Sequence, residues 1–235
     1  LWMQDLVLDL ADLDHRVATV PFRGVKGTTG TQASFLEIFG GDHDKVRELD
    51  RRVCAAMGFP ASIPVSGQTY TRKIDAQVLG VVAGIAASAA KFASDLRMLQ
   101  AFGEIEEPFE TEQIGSSAMA YKRNPMRAER MCSIARFGMS LPAAAAQTAA
   151  NQWLERTLDD SANRRIAIAE MFLASDAILN LQLNVASGLV VNEHVIKKNL
   201  DEELPFLASE QVMMEAVKLG ADRQDVHESI RRASH

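Results

Sequence analysis

The sequence predicts an all-α protein built as a bundle of long helices, and three observations carry that prediction. Apolar residues recur at three- and four-residue steps through most of the chain, which places one buried stripe on each helix. No convincing run of alternating β-branched residues is present. The segment from about Thr69 to Phe102 contains no proline and only two glycines, and small residues crowd it from Gly80 to Ala90. Small residues let helices approach closely, so this rod is expected at the centre with neighbours on several sides.

Taken in order, Leu6, Leu10, Leu13 and Val17 mark a first helix that stops near Pro21. The loop FRGVKGTTGTQ, Phe22 to Gln32, is rich in glycine and threonine. Lys26 comes too early for a phosphate-cradling P-loop, and the segment reads as a tight connection between helices. A short helix is expected over Gln32–Phe39 and a charged one over Asp42–Met57, with Asp42 or His43 near its start. Pro60, Pro64 and Gly67 then mark the irregular stretch ASIPVSGQTYTRK, which leads into the central rod. At 1.5 Å per residue that rod is about 45 Å long, more than a small domain covers, so other subunits are its expected cover.

The stretch GSSAMAYKRNPMRAER, Gly115 to Arg130, fits regular structure least and holds the most reactive side chains. Asn124 before Pro125 reads as a helix N-cap with proline at the first helical position. A polar loop running into a helix start, with Lys122, Arg123, Arg127 and Arg130 around it, is suited to hold an anion; the plainer reading is a solvated basic loop. The helix from Pro125 is expected to reach Ala150 with a bend at Pro142. In NQWLERTLDDSANRR, Asn151 to Arg165, the residues Asp159, Asp160 and Ser161 read as caps. Ser161 and Arg165 share a face at the start of the next helix, and Arg156 lies just before it, an arrangement suited to a phosphate. The rival reading pairs both arginines with Asp159 and Asp160. Beyond Gly188, shorter charged helices are expected at Glu193–Glu203, Phe206–Leu219 and Arg223–Arg232, interrupted by Pro205 and Gly220. Apolar density falls near Val190, so residues 1–190 are read as one domain and 191–235 as the start of another.

With 47% hydrophobic residues in 235, the chain has ample material for a core, and its net charge of −6 argues against a nucleic-acid-binding role. The uncharged stretch Ala76–Ala90 falls short of the ~20 residues that span a bilayer and reads as a buried helix, with no membrane partner. Cys54 and Cys132 lie in helical patterns without metal-ligand spacing and suggest reduced thiols in a cytoplasmic protein. No metal and no cofactor is expected. The first residues are already in helical rhythm, with no initiator Met and no cap, so the chain is read as a piece of a longer protein.

The central GSSAMAYKRNP resembles the signature loop of the fumarase/aspartase lyase superfamily, usually GSSxMPxKxNP. Together with it, RGVKGTTGTQASF, SGQTYTRK, YKRNPMR and WLERTLDDSANRR resemble the eukaryotic form of the branch that acts on adenylosuccinate. The resemblance implies an all-helical homotetramer of fumarase/aspartase type, with active sites assembled from three subunits. It also implies cleavage of adenylosuccinate to AMP and fumarate, and of the matching succinyl-carboxamide ribotide in purine synthesis. Such a β-elimination needs a base, stabilisation of an aci-carboxylate and an acid for the leaving amine. By the same resemblance Ser116 is the base, its pKa lowered by loop N–H groups and Lys122. Lys122 and Asn124 hold the fumaryl carboxylates, and Glu129 is the acidic partner of a catalytic histidine. Gln68 and Arg130 contact substrate, and Arg156, Ser161 and Arg165 contact its nucleotide side.

Two departures stand out. Ala120 replaces the usual proline of the signature, which loosens the loop. The superfamily's histidine segments would precede Leu1, and none of His15, His43, His194, His227 and His235 has a matching context, so the chain alone is expected to be inactive. The rival readings are a sister lyase acting on argininosuccinate or a dicarboxylate, which has no use for the Arg156–Ser161–Arg165 cluster, and a non-catalytic helical assembly protein, which has no use for Ser116, Lys122 and Asn124. A nucleic-acid module would need salt-dependent binding through the Lys122–Arg130 patch.

Overall fold

The computed structural model describes residues 1–110, 118–119, 121–154 and 157–234. In chain order the elements are α1 (Trp2–Thr19), α2 (Ala33–Ile38), α3 (His43–Ala56), α4 (Lys73–Ala101), β1 (Ile105–Glu106), α5 (Met126–Ala150), α6 (Asp160–Ser187), β2 (Val190–Val191), α7 (Glu193–Leu207), α8 (Ser209–Lys218) and α9 (Arg223–Ser234). The fold is all-α, as the periodicity predicts. The only named strands among the described residues are two residues long and pair antiparallel, Ile105 opposite Val191 and Glu106 opposite Val190.

The core lies where α4, α5 and α6 meet, and α1 packs along α4. Its large members are Leu79 and Leu96 on α4, Met131 on α5, and Met171, Ile178 and Val185 on α6, each fully buried. Alanines fill the seams between them: Ala86, Ala89 and Ala93 on α4, Ala135 on α5 and Ala167 on α6. Their small side chains let three long helices run side by side. Trp2 secures α1, its Nε1–H donating to Asp95 Oδ2 at 2.8 Å and its ring meeting Phe92 edge-on at 4.9 Å.

The helix boundaries differ from expectation at three places. The central rod begins at Lys73 because Tyr70 and Arg72 are held in contacts described below. Pro205 sits inside α7 and does not interrupt it; the chain breaks at Ala208 instead. Pro125, not Asn124, occupies the N-cap position of α5, and no side chain of that residue caps the helix. Elsewhere the local chemistry is as read at α3, where Asp42 caps the helix by accepting from Asp44 N and Lys45 N at 3.0 and 3.1 Å; α5 reaches Ala150 as expected, with Pro142 inside it. Cys54 and Cys132 are free and buried.

The membrane argument needs correction. Helices α4 and α6, at 29 and 28 residues, are each long and apolar enough to cross a bilayer, and the fifteen-residue stretch understated α4. Core helices of a bundle meet the same description, and here α4 and α6 pack on each other and on α5. Only 33% of each apolar window is buried within the chain. Phe137, Ile166, Phe172, Leu173 and Leu183 all stand exposed.

Two measurements test this packing. A Cβ on Gly138 would meet Met171 Cε at 3.5 Å and Sδ at 3.6 Å, ordinary contact distances. Gly138→Ala is therefore expected to raise stability by about 0.5–1 kcal/mol in urea unfolding, because it removes glycine's backbone entropy at no steric cost. The second concerns Asp95, whose carboxyl is held below its usual range first by the Lys91 ammonium and then by the Trp2 N–H. A depressed folded pKa makes its contribution complete above the unfolded value of about 3.9 and lost as pH falls through the folded one. In a Trp153→Phe background, Trp2 fluorescence is expected to change below about pH 4, and much less so in Asp95→Asn.

Candidate active site

The start of α5 carries the described part of the signature. Its first-turn amides are satisfied from within the chain. Glu107, 2% exposed, accepts from Arg127 N at 3.1 Å through Oε1 and from Ala128 N at 3.0 Å through Oε2. The anion at this helix start is thus a buried carboxylate of the protein itself, well placed against the positive end of the helix dipole. This corrects the expectation that the helix start serves as a free anion site.

The same acidic segment also occupies two of the four cations. The Arg127 guanidinium donates to Pro108 O at 2.5 Å and to Glu110 at 2.6 Å, while Arg123 pairs with Glu106 at 3.5 Å and lies 5.2 Å from the Phe109 ring centroid. Gln100 fastens the two stretches together, accepting from Glu107 N and donating to Arg123 O, both at 3.1 Å. Asn192 adds a tie from beyond β2, donating to Gly103 O and Glu106 Oε1 at 2.8 and 3.0 Å. Lys122, Glu129 and Arg130 are exposed, without ion pairs among the described residues, and Asn124 is half-buried. These four residues therefore cluster at one end of α5. Ser116 lies outside the described residues, as does Ala120.

The other predicted residues gather at the opposite end. Gln68 is exposed between Gly67 and Thr69, which line a cleft of about 590 Å³ together with Ser66, Tyr70, Arg72 and Gln152. The loop before it is clamped from below. Arg23 donates to Gly27 O at 2.8 Å and Gly67 O at 3.0 Å, and a Cβ on Gly30, at φ +78°, would fall 1.8 Å from Ser66 O. Lys26 donates to Ile63 O; burial pulls its pKa below the ordinary lysine range, with Asp50 opposing. The glycine- and threonine-rich loop is therefore a tight connection, as read, and its lysine is committed to the chain.

Ser161 and Arg165 lie in the first turns of α6, half-buried and exposed respectively. The rival pairing is not made by Arg165. Asp160, fully buried, accepts from Arg72 Nε at 2.6 Å, and Asp159 accepts from the Thr157 hydroxyl. Asp159, at the N-cap, supplies no side-chain cap to α6, which corrects that reading. Arg156 lies outside the described residues. A further link, Thr148 Oγ1 to Asn163 Oδ1 at 3.0 Å, fastens this turn to the end of α5.

The chain thus forms two clusters: Lys122, Asn124, Glu129 and Arg130 at one end of α5, and Gln68, Ser161 and Arg165 at the other. The helix between them has 25 residues, about 37 Å at 1.5 Å each. Sequence reasoning passed over Glu107, Arg72, Tyr70 and Arg164. The acidic run EIEEPFE just before the basic stretch was the available signal for Glu107. No local signal pairs Arg72 with Asp160, 88 residues away.

Comparisons with known proteins find relatives among the lyases. A family profile described as Lyase matches residues 39–137. Over 235 residues, all of this chain and 49% of the relative in each case, the chain is 55% identical to the adenylosuccinate lyase of Saccharomyces cerevisiae and 54% identical to that of Schizosaccharomyces pombe. It is 35% identical over 236 residues to that of Archaeoglobus fulgidus, covering 51% of it. The chain therefore spans about half the length of the curated relatives it matches. Among solved structures, a fumarate lyase from Mesorhizobium sp. BNC1 superposes with a TM-score of 0.80 at 20% identity, covering 98% of this chain and 49% of that one. The 3-carboxy-cis,cis-muconate lactonizing enzyme from Pseudomonas putida gives 0.78 at 21%, covering 98% and 50%. At such identity the likeness establishes the fold alone, an all-α fold of fumarase/aspartase type.

The Glu107 arrangement is testable. Glu107→Ala leaves one buried and one partly buried amide without their acceptor and is expected to cost about 3 kcal/mol in urea unfolding. Because the vacated helix start would then accept an external anion, sulfate is expected to restore stability to the variant and to affect the native chain much less.

Proposed function

We propose, from the premise that the chain belongs to the fumarase/aspartase-type lyases and matches the adenylosuccinate lyases along its whole length, that the complete protein cleaves adenylosuccinate to AMP and fumarate. The matching succinyl-carboxamide ribotide is its second substrate, and its place is the cytoplasm. The observation that carries this reading is the distribution of the site residues. One cluster offers a cation and an amide for carboxylates, Lys122 and Asn124. The other offers a hydroxyl and a guanidinium at a helix start, Ser161 and Arg165, chemistry suited to a phosphate. A succinylated nucleotide needs both.

One chain holds the two clusters at opposite ends of a rigid helix, so a complete site draws them from different copies. The exposed apolar residues Phe137 on α5 and Ile166, Phe172, Leu173 and Leu183 on α6 support the homotetramer that such sharing needs. Residues 1–190 supply the assembly's bundle and 191–235 open a smaller helical domain.

In the mechanism, Ser116 removes the proton next to the carboxylate and Lys122 stabilises the charge that develops. Asn124 orients the same carboxylate by neutral donation. Glu129 supports the charged form of a histidine supplied from outside this chain, which protonates the leaving amine. Gln68 and Arg130 hold the substrate across the scissile bond, while Arg156, Ser161 and Arg165 hold the nucleotide. A binding energy spread over groups this far from the reacting carbon positions it for elimination.

The test is fumarate release from adenylosuccinate by the complete protein. Lys122→Ala and Arg165→Ala are each expected to reduce kcat/KM by at least about a hundredfold. Mixed after partial dissociation, the two variants are expected to regain activity, because some sites then receive Lys122 from one copy and Arg165 from another. No recovery on mixing would place both clusters in sites made by one chain and reject the shared arrangement. No fumarate from the native protein would reject the reaction.

A further inference from the structure

Between Gln68 and α6 lies a network to which neither the superfamily resemblance nor the mechanism above gives a role. Tyr70 is half-buried at the cleft, two residues after Gln68. Its hydroxyl donates to Asp75 Oδ1 at 2.8 Å and accepts from Arg164 Nη2 at 2.5 Å, while Arg164 Nε donates to Asp75 Oδ2 at 2.5 Å. The three side chains thus close a ring of charge-assisted bonds, stronger than neutral ones. Two guanidinium carbons also stand against the Tyr70 ring, Arg72 at 4.8 Å and Arg164 at 5.6 Å from its centroid. Arg72 continues to Asp160, the first residue of α6.

The consequence is geometric. The segment that carries Gln68 is held to α6 at residues 160 and 164, which bracket Ser161 and adjoin Arg165. On a helix, Arg164 and Arg165 point about 100° apart, so gripping Arg164 fixes the direction in which Arg165 projects. Burial, and then donation to Asp75, raises the Tyr70 pKa, so the hydroxyl keeps its proton and its role as donor. The fully buried Arg72–Asp160 pair supports the fold at this place. The Arg164 side chain, 24% exposed, sits nearer the rim, where it sets direction with less weight on folding.

We infer that Tyr70 and Arg164 form a clamp that sets the spacing between the Gln68 arm and the first turn of α6, making them positioning residues for the nucleotide half of the substrate. The inference rests on the function proposed above for the target of that positioning, though not for the clamp itself.

The experiment compares the complete native protein with Tyr70→Phe and Arg164→Lys. Tyr70→Phe keeps the ring beneath both guanidiniums and removes only the bridging hydroxyl. The expected result is a KM for adenylosuccinate raised about tenfold, with most of the loss in kcat/KM arising there. Inhibition by AMP is expected to weaken by a similar factor while inhibition by fumarate is unchanged. Arg164→Lys keeps the charge without the two-point grip and should fall between the two. Unaltered AMP inhibition in Tyr70→Phe overturns the clamp, whatever happens to Tm. Equal weakening of AMP and fumarate inhibition means general loosening and overturns it as well. If the native protein releases no fumarate, the reaction is wrong and the clamp is judged by amide exchange across residues 64–71. Faster exchange there in Tyr70→Phe, with α4 and α6 protected as in the native protein, upholds it; unchanged exchange rejects it.

Discussion

Close approach of α4, α5 and α6 is the constraint from which the rest of the architecture follows. Three helices of 25 to 29 residues can stay in contact along their length only if the side chains at the seam are small. Ala86, Ala89, Ala93, Ala135 and Ala167 meet that condition, with Leu79, Met131, Met171 and Ile178 filling the wider gaps. The bundle so formed is stiff and long. Whatever chemistry sits at its ends is separated by the full length of α5, and cannot be joined by bending one chain.

That stiffness gives local interactions their importance at each end. The two ends are organised differently. At the signature end, one buried carboxylate, Glu107, substitutes for an external anion and frees Lys122 from competing with the helix dipole for the same charge. At the end that carries Gln68 and Ser161, a buried ion pair, Arg72 to Asp160, and a partly buried one, Arg164 to Asp75, join segments nearly ninety residues apart. Each such pair replaces the hydration that its charges lost on burial. The Arg164 pair therefore fixes a position more than it strengthens the fold.

The legible parts of the sequence were those governed by short-range physics. The apolar period placed α1 to α6 to within a few residues, and Asp42 was readable as a cap. Where distant residues decided, reading failed. Asn124 is a good capping residue by type, yet the amides of α5 go to Glu107, a choice set by the path of the chain around β1. Tyr70 and Arg72 have adequate helix propensity, yet a hydrogen bond to Asp75 and an ion pair with Asp160 hold them outside α4. Pro205 is tolerated inside α7, so its presence alone did not fix a helix end. The candidate site residues were chosen as types at particular spacings. Their division between two ends of a rod was hidden, because spacing along a sequence does not measure distance across a bundle.

Gly30 shows how such an arrangement constrains the chain's descent. The carbonyl of Ser66 occupies the place where any side chain at that position would begin, and the backbone there is left-handed. A coding change at Gly30 would have to push aside the strip that ends in Gln68, and with it the hold of Arg23 on Gly67. Heritable variation in this loop is in this way felt at the cleft beside Gln68. Gly40 and Gly41, which have open space around them, escape that coupling, and only their own left-handed backbone, at φ +63° and +87°, holds them to glycine.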